Sequence, residues 1–162
     1  MTDTALRLFR FLGQLPAGLI DEDRGELLGE GADGFAAEDA LLRIGLAIER
    51  GNRLDLLSPI REHALRRYGP VGVDQVAWPA YYLGLTESLG ERIGTVEGGS
   101  AMARLVPEFG NIEAAFRALL AAGHLPEAIN ALSGFRHLTN IGSLPTPVLR
   151  ELAIACRTAG HV

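Results

Sequence analysis

The sequence predicts a mainly α-helical fold with one small β-hairpin. Three observations carry that prediction. Apolar residues recur at i, i+3, i+4 and i+7 through most of the chain. The pattern changes once, around Arg50-Gly51-Asn52, where two short β-prone runs flank a glycine turn. Glycine and proline then punctuate the chain between these segments.

The first helix is expected over Thr4–Gln14, with Ala5, Leu8, Phe9 and Leu12 on one face and Leu15-Pro16-Ala17-Gly18 as its stop. A short second helix is expected within Asp21–Leu28, capped by Asp21. Gly29–Gly34 reads as a loop. A third helix over Ala36–Gly45 would bury Ala37, Ala40, Leu41 and Ile44. Leu46–Glu49 and Arg53–Leu56 then form a hairpin around a three-residue turn, Arg50-Gly51-Asn52. A fourth helix follows, with Ser58 as its cap and Pro59 at the first helical position, where a missing N–H costs nothing. Ile60, Ala64, Leu65 and Tyr68 would pack on one side of it. Three helices, a hairpin and a helix, in this order, make a winged-helix domain over residues 1–70. Gly69-Pro70-Val71-Gly72 marks its boundary.

Residues 71–162 read as wholly helical. Val73–Ile93 is long and apolar, and Pro79 should kink or split it. A short helix is expected over Ala101–Val106. Asn111 would cap a helix bearing Ile112, Ala115, Phe116, Leu119 and Leu120, ended by Gly123. Pro126 would open a helix burying Ala128, Ile129, Leu132, Phe135 and Leu138, and a last helix carries Leu149, Leu152, Ala153 and Cys156. Ala122-Gly123-His124-Leu125 recurs as Ala159-Gly160-His161-Val162, about one helix pair later, which suggests a helical solenoid. The chain then stops where another helix would begin, so a segment of something longer is expected.

Composition narrows the chemistry. All 15 cations are arginine, which excludes a P-loop, Schiff-base or Ser-x-x-Lys lysine. The net charge of −5 disfavours non-specific nucleic-acid binding. Cys156 is the single cysteine, so neither an internal disulfide nor a cysteine-based zinc site can form. With no apolar leader and no membrane-length apolar run, a cytoplasmic protein without membrane contact is expected. Gly29-x-Gly31-x-x-Gly34 fits the dinucleotide fingerprint in letters only, because no apolar strand precedes it. Asp21-Glu22-Asp23 lacks the glycine and glutamate of a calcium loop at the required offsets. No histidine pair sits at i, i+4. Neither cofactor, metal nor catalytic residue is expected.

The stretch Leu57-Ser58-Pro59-Ile60-Arg61-Glu62-His63-Ala64 resembles the "L-x-P-I-R-E-Y-A" segment of STAND-class bacterial signal-transduction ATPases, which include NB-ARC-like and LuxR- or antibiotic-regulator-type proteins. Leu15–Leu19 is similar to their "F-P-G-G-F" turn, Ala80–Glu87 to their "Y-x-L-A-L-A-E" helix, and Glu108–Phe116 to the "E-x-x-N-L-R-A-A-L" helix that leads into tetratricopeptide-like repeats. His63, Pro79 and Glu113 depart from those patterns.

The resemblance implies a regulatory, non-enzymatic segment. Its winged helix would couple a nucleotide-binding core, absent from this chain, to a helical-repeat sensor over 71–162 that binds a protein or peptide. Ser58, Pro59, Arg61 and Glu62 are the candidate core-docking or structural residues. For Arg61 a structural pair with Glu49 or Asp55 is the simpler expectation. The alternative is a stand-alone winged-helix transcriptional regulator with a helical dimerisation region. Arg43, Arg50 and Arg53 would then contact DNA. Residues 1–70 hold 9 arginines and 12 acids, which disfavours that alternative.

Overall fold

The computed structural model describes residues 1–29, 31–126, 128–129, 150–151, 153–154 and 157–158. The fold is mainly helical with a small three-stranded antiparallel sheet. It divides into two compact units, Met1–Trp78 and Pro79–Val162. The division falls eight residues beyond residue 70, within a helix rather than at the Gly-Pro segment.

In the first unit, α1 (Asp3–Gln14) starts on Thr2, whose hydroxyl accepts from the Ala5 N–H at 3.2 Å. Its expected face is buried, with Phe11 added. Each such leucine or phenylalanine contributes about 1.5–3 kcal/mol by leaving water. The chain turns at Gly18 (φ +73°) into β1 (Leu19–Ile20), a strand too short to show a period in the sequence. Then come α2 (Asp21–Leu28) and α3 (Gly34–Arg43). Asp21 is the first helical residue of α2, not its cap. Ile20, held in β1, takes the cap position, and the three acids of the first turn instead favour the helix dipole. In α3, Asp33 accepts from the Ala36 N–H at 2.9 Å, so the helix begins two residues early and ends before Ile44. Ala37 and Leu41 are buried as expected, Ala40 only partly, and Ile44 is exposed.

Strand β2 (Ile48–Arg50) pairs antiparallel with β3 (Arg53–Asp55), and β3 with β1, giving the order β1-β3-β2. Arg50 pairs with Arg53, so the turn is the two residues Gly51-Asn52 rather than three. Gly51 (φ +63°) takes the first turn position, where a primed hairpin turn requires a positive φ. Helix α4 (Ser58–Arg67) packs on α1. Their approach depends on Gly13, where a Cβ would lie 2.9 Å from the Ala64 Cβ.

One arginine ties this unit together. Arg7 grips Asp74 with two bonds of 2.7 Å, from Nε and Nη2. Its Nη1 and Nη2 also donate to the Leu28 and Leu27 carbonyls at 2.6 and 3.1 Å. These are end carbonyls of α2 with no helical partner, so Arg7 serves as their cap. The Asp74 hydrogen bond holds the Arg7 guanidinium above its ordinary pKa, against the opposing effect of burial.

Helix α5 (Asp74–Gly90) runs through Pro79 without splitting. In the second unit α6 (Gly98–Leu105), a 3₁₀ turn (Val106–Glu108) and α7 (Phe109–Ala121) follow. Asn111 is not a cap. It is the third residue of α7, fully buried, and donates to Glu108 at 2.7 Å and to the Tyr82 hydroxyl at 3.4 Å. Glu108, also fully buried, pairs with Arg104 at 3.1 Å. Helix α7 ends at Gly123 (φ +79°) in a Schellman motif, His124 N–H to Leu119 O and Gly123 N–H to Leu120 O. Beyond it Ala128 is buried, whereas Ile129 and Ala153, expected on apolar stripes, are exposed. Leu132, Phe135, Leu138, Leu149, Leu152, Cys156 and the second copy of the four-residue echo lie outside the described residues.

Candidate functional site at the hairpin and helix α4

The candidate docking segment begins where β3 ends. Leu56 turns into the core and Leu57 out to solvent. Leu57, in extended conformation, is the cap residue of α4, and its carbonyl accepts the Arg61 N–H at 2.9 Å. Ser58 is therefore already helical, and the cap position makes no side-chain hydrogen bond. Pro59 is second, still within the turn where no N–H is needed. Ser58, Pro59 and Glu62 all lie exposed. Glu62 meets Arg66 one turn on, at 3.8 Å. Of the expected apolar side only Ala64 is fully buried. Ile60 is half-buried, and Leu65 and Tyr68 are exposed. The Tyr68 ring still meets Phe9 edge-on at 5.8 Å.

Arg61 points the other way, onto Asp55. That carboxylate is the hub of the site. It is buried, accepts the Leu56 N–H at 2.7 Å, pairs with Arg61, and lies 3.5 Å from Arg50. The register explains the choice of Asp55 over Glu49. Ile48 and Arg50 lie on one face of β2 and pair with Asp55 and Arg53 across the ladder, while Glu49 lies with Leu54 on the other side.

The arginines proposed for DNA have internal partners. Arg50 faces Asp55. Arg53 Nη1 donates to the Ala17 and Gly18 carbonyls at 3.0 and 3.3 Å, tying the hairpin to the turn before β1. Arg43 pairs with Asp39 one turn back on α3. The structure thus gathers Arg50 and Arg61 at one carboxylate, and leaves Arg43 apart on α3.

The Gly29–Gly34 segment follows α2, not a strand, so it lacks the setting of a dinucleotide loop. Among the described residues no group of three metal-ligating side chains occurs. No described helix is long and apolar enough to cross a membrane. Two features are not legible in the sequence, the Arg7–Asp74 clamp and the Glu108–Asn111 pair. Both join residues through space, and only the E-x-x-N spacing hints at the second. The chain matches no protein-family model, no curated protein and no solved structure.

Proposed function

We propose that this chain is a non-catalytic, cytoplasmic regulatory segment of a STAND-type signalling ATPase or transcriptional regulator. In this reading residues 1–70 form a winged helix that docks on a nucleotide-binding core. Residues 71–162 form a tetratricopeptide-like array that receives a protein or peptide. One observation supports the reading: Asp55 clamps Arg61, which ties the end of the hairpin and the start of α4 into one body. That body includes the stretch with the family resemblance. A rigid wing with exposed Ser58, Pro59 and Glu62 beside it suits a surface that docks and transmits a nucleotide-dependent change.

The test is a fluorescence titration of the full chain with a separately purified STAND nucleotide-binding core, loaded with ADP or ATP. Saturable binding that differs between the nucleotides supports the reading. No binding at about 500 μM, where a weak interface with a Kd near 1 mM would already show, overturns it.

A further inference from the structure

Two adjoining clefts on the first unit share Asp21. One, of about 240 Å³, lies between the start of α2, α3 and the hairpin. Asp21, Glu22, Glu38 and Glu49 line it against a single guanidinium, Arg53, which is already bound to backbone carbonyls. The other, of about 160 Å³, is floored by Leu28 and Ala32 and edged by Gly25, where no side chain fills the space. Phe35 stands beside it, 74% exposed, its ring 4.4 Å from the Arg24 guanidinium carbon. Arg24 is itself buried and fixed by Asp21 and Glu38. Stacking on a buried cation favours one placement of the exposed ring, which lowers the ordering cost when a partner arrives.

We propose that this face binds a basic segment of a partner protein, with an arginine or lysine in the acidic cleft and a neighbouring apolar side chain against Phe35. Charge complementarity selects the occupant. Arg24 pairs with Asp21 and Glu38, but Glu22 and Glu49 keep the cleft acidic. A polyanion would be repelled there, whereas a cationic side chain of a peptide gains the field of these carboxylates at short range. The apolar cleft next to it supplies the second contact that distinguishes a peptide from a simple ion. The partner need not be a nucleotide-binding core.

The probe is a fluorescein-labelled peptide with an Arg-Arg-Leu centre, titrated into the full chain at low salt and followed by anisotropy. A Glu-Glu-Leu peptide and a labelled DNA duplex are run beside it. The Arg-Arg-Leu peptide should bind in preference to both. Glu22→Gln with Glu49→Gln, both at exposed positions, should weaken it about fivefold. Phe35→Ala should weaken it roughly tenfold. Far-UV circular dichroism checks that each variant is folded. Equal binding of the acidic peptide, preferential binding of the duplex, or variants that bind like the parent would each overturn the proposal.

Discussion

Replacing Asp55 by asparagine removes the charge that two arginines face while keeping the side chain's size. Asp55 is 6% exposed, so its environment is close to that of a core group. Breaking a fully buried pair costs about 3–5 kcal/mol, and an exposed one about 0–1 kcal/mol. The Arg61 side chain retains 18% exposure, so its orphaned charge reaches water in part. Asp55→Asn should therefore cost about 2 kcal/mol, between those limits. Arg61→Met should cost less, about 1 kcal/mol, because Asp55 keeps the Leu56 N–H and the nearby Arg50. Once one partner is gone the other has no pair to lose. The double variant should thus fall short of the sum by about 1 kcal/mol. Trp78, the single tryptophan, is buried and is the last residue of the first unit, so its fluorescence follows unfolding in urea. If Arg61→Met leaves the midpoint unchanged, or the two changes add, the clamp contributes nothing to stability and does not hold the hairpin and α4 as one body.

Gly18→Ala should destabilise the first unit by about 2–3 kcal/mol, since φ is +73° and the added Cβ would meet the Leu54 carbonyl oxygen at 2.8 Å. Gly51→Ala, at φ +63° but in open space, should cost about 1 kcal/mol in the same urea titration. In the second unit Glu108→Leu should lower the thermal midpoint by several degrees, because Asn111 and Arg104 lose their acceptor at a fully buried site; about 3 kcal/mol is at stake. Glu108→Gln, which can still accept from Asn111, should recover part of that loss. Arg7 provides a pH test. Its pKa is raised on folding, so its contribution is complete below the ordinary arginine value and lost only as pH climbs past the folded one. The parent should show no loss from this clamp between about pH 7 and 11, whereas Arg7→Lys should begin to lose stability within that range, as pH passes the usual lysine value of about 10.4. A parallel decline in both proteins would contradict the assignment.

Spacing along the chain carries the local structure, and contacts through space lie beyond it. The α1 stripe is a property of spacing alone, and Ala5, Leu8, Phe9 and Leu12 are all buried. The hairpin is visible as a change of period, but not its turn length, because Arg50 suits either the strand or the turn. Two residues of β1 have no period to detect. The same limit explains α4. Its apolar side looks continuous in the sequence, but the close approach at Gly13 seats Ala64 and leaves Leu65 and Tyr68 outside. Asn111 has the chemistry of a cap, and the buried Glu108 claims it instead. At the candidate site the sequence narrows the partner of Arg61 to two carboxylates, and the strand register decides between them.

The internal use of arginine also changes how the DNA alternative is to be tested. Reversing the charge of Arg50 and Arg53 would reduce DNA binding if they touch phosphate. It would equally do so by releasing Asp55 and the Ala17 and Gly18 carbonyls and loosening the sheet. Salt dependence does not separate the readings either, since a basic peptide on an acidic face and a duplex on a basic patch both weaken as salt rises. The sign of a carboxylate substitution does separate them. Neutralising Glu22 and Glu49 removes repulsion from an approaching polyanion and removes attraction for a polycation. DNA affinity should then rise where peptide affinity falls, whereas a merely loosened sheet would lower both.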